Sequence, residues 1–309
     1  MPLRFLRHMA RLFQEEFWLF LLLAIGLAFV FPEFGRTWLK PLALPSILAQ
    51  MYIVMLNIEP ERVLTAIRAW RPLLRTALLM FAVGPLLLLP AHGFFEPAVV
   101  LGLAVICVMP AGMSSPFFTL KFGGDAALAV VLTTLTHLMV PLMAPLWLST
   151  LAGNAIEVDT GLIFMRLLQL IVLPFALAWG TRKLLGVRRT AAVYRRIAWL
   201  AGFLILLVTW GIVADITVAT VPILPIAVAV TILNGIFFGL GFLVGGGDRR
   251  AVAMTVGYRN STLGMVLATS VWTNPLVALP SIVWTLTHNL YAVLLLFLHR
   301  AFQRKNSQM

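Results

Sequence analysis

Carboxylates, cysteines and charge are scarce in this chain. Of 309 residues, 11 are Asp or Glu, and all charged types together reach 11%. The acids lie between apolar runs or near their ends. A prenyl-transfer enzyme, which needs paired carboxylates for Mg²⁺ inside the membrane, therefore has no ligands here. A bound alkali ion would find no buried carboxylate to offset its charge either. The one cysteine, Cys107, excludes an intramolecular disulfide and reads as a small core hydrophobe in its apolar run. No P-loop, metal-ligand cluster, soluble domain or long linker is present, so neither cofactor nor metal is expected.

What is abundant is apolar. With 61% hydrophobic residues and a mean hydropathy of +0.99, the chain exceeds what a soluble core can hide, so lipid must solvate it. The net charge of +12 invites a nucleic-acid reading, but the cations lie in loops, where topology accounts for them. The bilayer is a partner and nucleic acid is not.

At roughly 20 residues per crossing, about ten spans fit. The first five are Phe17–Phe31, Leu44–Asn57, Pro72–Leu89, Ala98–Leu120 and Ala126–Leu151. The second five are Gly161–Leu184, Ile197–Ile216, Val221–Val244, Ala251–Trp272 and Leu276–Leu298. One alternate set of connections holds most Lys and Arg, including the Thr181–Arg196 loop; the other holds only Arg36 and Lys40 among mostly acids. The basic side faces the cytoplasm, so both termini are expected there, in the plasma (inner) membrane. Residues 4–16 read as a basic interfacial helix leading into a retained first span, because no small-x-small cleavage site follows. Five spans per half is an odd number, so the second half enters inverted. The expectation is an all-α single membrane domain over 1–309, with repeats at about 17–151 and 161–298.

Two features repeat between the halves. The tetrapeptide Thr-Leu-Thr-His occurs at 134–137 and 285–288. Upstream of each, an apolar segment is broken by small or polar residues: Pro110-Ala111-Gly112-Met113-Ser114-Ser115-Pro116 and Gly257-Tyr258-Arg259-Asn260-Ser261. Arg259 lies nine residues past Arg250 and Gly112 nine before Lys121, a depth of roughly 13 Å in a core about 30 Å thick. Backbone freed from helical pairing at that depth must face protein or a watery cavity. Matched breaks at mid-depth point to a transporter's ligand site; proline kinks satisfied by neighbouring helices are the plainer alternative.

The first break, with Ala127-Leu128-Ala129-Val130 and Thr133-Thr134 after it, resembles helices four and five of the bile acid:sodium symporter family. Val256 to Ser261 is similar to its Glu-Val-Gly-Met-Gln-Asn-Ser motif, His288-Asn289 to a His-Asn pair of helix ten, and Met80 to Pro85 to a third-helix Gln-Phe-x-x-Met-Pro segment. The resemblance implies a core domain (about 72–151 and 221–298) moving against a panel (about 17–57 and 161–216), with helices four and nine crossing at unwound centres. It also implies an organic-anion substrate held at the crossing, near Gly112, Met113, Ser114, Ser115, Pro116, Tyr258, Arg259, Asn260, Ser261, His288 and Asn289. By the same resemblance, one sodium site falls on Ser115, Pro116, Ala129, Thr133 and Thr255. The other falls on Thr255, Arg259, Met80 and backbone of the Val256 to Tyr258 stretch. The family's ninth-helix Glu is Thr255 here, and its amide ligands have become Pro116, Met80 and Arg259. Sodium coupling of the usual kind is therefore expected to be lost.

A guanidinium at mid-depth must point into a cavity, bond carbonyls or snorkel to the surface. The first two options would let Arg259 replace a bound cation. His137 and His288 are candidates for a proton site or for interhelical hydrogen bonds. Two rivals to a carrier remain: a transport-inactive sensor or scaffold on the same fold, and an intramembrane serine hydrolase pairing Ser114 or Ser115 with a histidine. Substrate identity, coupling ion, direction and oligomeric state are not set by the sequence.

Overall fold

The computed structural model describes residues 17–58, 70–153, 156–216 and 223–306. The expected interfacial helix at 4–16 lies outside them. We number the helices α1 (Phe17–Val30), α2 (Ala43–Met55), α3 (Trp70–Leu78), α4 (Pro97–Val108), α5 (Ser115–Lys121) and α6 (Ala126–Ala152). They continue as α7 (Thr160–Leu167), α8 (Leu173–Val213), α9 (Ile223–Val244), α10 (Arg249–Gly257), α11 (Ser261–Val271) and α12 (Leu279–Asn306). Among the described residues six helical stretches are long and apolar enough to cross a membrane, and three apolar helices are shorter. Exposed Leu23, Leu224, Leu243 and Phe297 make sense only against lipid. This is an all-α integral membrane protein.

Helix ends follow local chemistry. Asp125 Oδ1 accepts the Leu128 amide at 3.0 Å, and Asp159 Oδ1 accepts that of Leu162 at 2.8 Å. Each satisfies a donor that the first turn leaves open. Pro97 begins α4, where a missing N–H costs nothing. Wider π-turns lie at Gly35–Leu39, Leu79–Val83 and Leu168–Val172, and such insertions cluster at functional places in helical proteins.

The expected loop at Thr181–Arg196 is instead helical. Helix α8 runs 41 residues and changes direction only at Gly186, whose φ of +77° is left-handed and open to glycine without steric cost. The arginines and leucines around it are good helix formers. A cationic run was therefore compatible with both readings.

Helices α1, α2 and the π-turn after α7 pack on α8. A second group joins α6 to α4, α5 and α10, and α12 to α4, α9 and α11. Helix α11 also touches α2, α7 and α8, so it lies between the groups.

Candidate functional site

Both sequence breaks are helix breaks, and they lie against each other. Helix α4 stops at Val108 and α5 starts at Ser115; α10 stops at Gly257 and α11 starts at Ser261. Ala111 and Arg259 form an antiparallel bridge: the Gly112 amide donates to Tyr258 O at 2.6 Å and the Asn260 amide to Pro110 O at 2.8 Å. Backbone that cannot pair within a helix thus pairs across the breaks. Gly112 permits the approach, since a Cβ there would lie 2.6 Å from Tyr258 Cδ1.

Four half-helix ends converge here, two of each dipole sign, and side chains answer each sign. Asn260 Oδ1 accepts the Leu263 amide at 3.1 Å, capping α11. Asn234 Nδ2 donates to Gly257 O at 2.9 Å, satisfying the end of α10. At the end of α4, Arg259 Nη1 donates to Met109 O at 3.1 Å. The guanidinium lies 4.5 Å from the Phe237 ring centroid and is 0% exposed. Its Nε and Nη2 have no hydrogen-bond partner among the described residues. Of the three options, snorkelling is overturned: the group is enclosed, bonded to one carbonyl and stacked on α9, because the break turns it inward.

The remaining candidates fall into two clusters. In the first, Ser115 Oγ and Thr133 Oγ1 are 2.8 Å apart. The His137 Nδ1–H donates to Thr133 O at 2.8 Å, and Asn260 Nδ2 donates to His137 Nε2 at 3.3 Å. Both ring nitrogens thus have hydrogen-bond partners, an arrangement that accommodates a neutral imidazole. Asn260 Nδ2 also lies 3.8 Å from Met51 Sδ of α2. In the second, the Tyr258 ring stacks on His288 with centroids 3.9 Å apart and meets Phe118 at 5.0 Å. Its hydroxyl donates to Asn289 Oδ1 at 2.9 Å, while Asn289 Nδ2 donates to Thr285 O at 2.7 Å. Thr285 and Ser261 hydroxyl oxygens are 2.8 Å apart, so each second half-helix begins with a serine held by a threonine of the next long helix.

Ser114 is exposed, Met113 and Pro116 are half-buried, and Ala129, Met80 and Val256 are buried. The Thr255 hydroxyl donates to Ala251 O of its own helix at 2.8 Å. No recorded hydrogen bond joins Ser114 or Ser115 to a histidine among the described residues, so the nucleophile–base contact a hydrolase needs is not formed there. Met51, Phe118 and Phe237 carry no sequence signal for this place; Asn234, a lone amide in an apolar helix, reads as a helix contact, and its bond to Gly257 O is one.

The sequence pattern of the Sodium Bile acid symporter family matches residues 44–222. The chain belongs to this family. It is 29% identical over 208 residues to the uncharacterized sodium-dependent transporter YocS of Bacillus subtilis, covering 65% of this chain and 64% of that protein. To the probable sodium/metabolite cotransporter BASS1 of Arabidopsis thaliana it is 30% identical over 220 residues, or 68% and 52%. To the probable sodium/metabolite cotransporter BASS2 of Oryza sativa it is 26% identical over 272 residues, or 85% and 58%. The chain therefore spans 52–64% of the length of these relatives. The matched segment contains the first break, between α4 and α5, while α10 and α11 lie beyond it.

Proposed function

We propose that this chain is a secondary carrier of a small organic anion, working by alternating access at the paired breaks and without two-sodium coupling. The observation that carries this reading is Arg259, a buried guanidinium bonded to the carbonyl at the end of α4. A freed carbonyl at a negative dipole end is where a dissolved cation is favoured; here a covalently attached one takes that place. Substitution of Thr255 for the family's glutamate removes the shared carboxylate, and no ion pair involves Arg259 among the described residues.

The architecture behind this reading is ten spans in two inverted repeats, with both ends cytoplasmic. Thr160–Val213 is 54 residues long, roughly 80 Å of helix, which is two crossings with Gly186 between them. The interrupted pairs α4–α5 and α10–α11 each make one, α1 makes one, and the other five long stretches make one apiece. The matched Ser115–Thr133 and Ser261–Thr285 contacts fit a duplicated unit. The group containing α8 acts as panel and the group containing the breaks as core.

An anion carried without sodium moves net negative charge, and an inside-negative potential opposes its influx by about 2.3 kcal/mol per charge per 100 mV. Export or exchange is then the favoured direction. The test begins with thermal stabilisation of the purified chain across a panel of carboxylates and sulfates, followed by flux of the stabilising anion in sodium-free vesicles. Saturable flux, slowed inward by an inside-negative potential, is expected. Binding without flux would mean a sensor, and flux that needs sodium and speeds up at inside-negative potential would overturn the coupling. Imposing a pH gradient tests whether His288 or His137 carries a proton; the bonds at both nitrogens of His137 favour His288.

A further inference from the structure

Among the described residues, two cations in the turns that follow α1, Arg36 and Lys40, converge on Asp215. Lys40 Nζ pairs with Asp215 Oδ2, and Arg36 Nε lies 3.8 Å from Asp215 Oδ1. Arg36 is further tied down, donating to Ala214 O at 2.9 Å and to Glu33 Oε1 at 3.0 Å. Lys40 has no other ion-pair partner among the described residues. Beside this cluster lies a cavity of about 390 Å³. Lys40 and Asp215 line one side of it, and Thr269, Trp272 and Thr273, at the end of α11, line the other. Its walls therefore come from both packing groups. Helix α11 runs from this cavity to the paired breaks, 11 residues or roughly 16 Å away.

We propose that this cavity is a landing site for the carboxylate of a small organic acid, with Lys40 as its receiving cation and Asp215 as the counter-ion it displaces. The inference rests on the carrier reading for its purpose, but the binding it asserts stands alone. Three observations carry it. Glu96, Glu157 and Asp159 make the other connections at this end repel anions, whereas this cluster balances Arg36 and Lys40 against Glu33 and Asp215 and offers its cations beside a concave wall. The side chains of Lys40 and Asp215 are 44% and 20% exposed; a solvent-screened ion pair is weak, and replacing one carboxylate by another costs little. The volume suits a small ligand, and the Trp272 ring supplies an apolar wall for its carbon skeleton. Asp215 thus occupies the position of the incoming headgroup until a ligand arrives.

The test uses 4-fluorobenzoate as probe and uncharged 4-fluorobenzamide as control, with binding to the purified full chain read from ¹⁹F line broadening. Wild type is expected to broaden the benzoate and not the amide. Lys40→Gln should weaken benzoate binding about tenfold, equivalent to about 1.4 kcal/mol, Lys40→Arg should retain it, and Asp215→Asn should strengthen it. Arg259→Met should leave the Lys40-dependent part intact. No charge-selective broadening in wild type, or broadening unaltered in Lys40→Gln, overturns the proposal. Flux failing in wild type vesicles would sink the carrier reading instead, and the two failures are separately visible.

Discussion

Arg259→Met abolishes flux while leaving the melting temperature unchanged or higher. The guanidinium contributes a hydrogen bond from a charged group to Met109 O, worth about 1.5–3 kcal/mol, and a desolvated stacking contact with Phe237 of about 2 kcal/mol. Burying a cation without a carboxylate costs several kcal/mol, so an apolar side chain of similar length gives the fold back as much as it loses. The arrangement of the breaks does not recover in the same way. Without the positive group, the carbonyl at the end of α4 has no partner, and about 1–3 kcal/mol of unpaired polar burial favours other arrangements by roughly tenfold to hundredfold. Arg259→Lys should fail as well, since an ammonium cannot both stack on Phe237 and present a planar fork to the carbonyl. Flux in vesicles and a melting curve check both halves. Normal flux in Arg259→Met would remove the role assigned to the charge.

Gly112→Ala is expected to lower both flux and stability. The added Cβ would lie 2.6 Å from Tyr258 Cδ1 and 3.1 Å from Arg259 O. The Tyr258 ring cannot turn aside, because it stacks on His288 and its hydroxyl is bonded to Asn289. The breaks must therefore separate, stretching the Gly112 amide bond to Tyr258 O. Overpacking of this kind costs about 1–3 kcal/mol, and each kcal/mol lowers the melting temperature by about 2–4 °C for domains of 150–250 residues. Gly26→Ala is the control: a Cβ there meets nothing within 4 Å, and alanine in a helix is favoured over glycine by about 1 kcal/mol. Equal behaviour of the two variants would mean that the approach at Gly112 is not tight.

The breaks were legible in the sequence and the direction of their side chains was not. Small residues located both breaks, which fall between Val108 and Ser115 and between Gly257 and Ser261. Helical periodicity gives the face a side chain occupies only while the helix continues. At Arg259 it does not, so the turn toward Met109 and Phe237 had no sequence signature. The repeated Thr-Leu-Thr-His marked matching places, yet His137 is locked by Asn260 and Thr133 whereas His288 stacks on Tyr258. Identical residues acquire different partners because the breaks before them differ. The π-turn at Leu79–Val83 was equally hidden, since one inserted residue leaves the apolar composition unchanged.

Sodium itself provides the most direct test, without any substrate. A cation that binds the folded chain at a hundredfold excess over its dissociation constant adds about 2.7 kcal/mol of stability, which a melting curve resolves. On the proposal that Arg259 takes the place of the ion, melting the purified protein in sodium chloride and in choline chloride at equal ionic strength should give the same temperature. A sodium-specific rise that saturates with concentration would contradict the account.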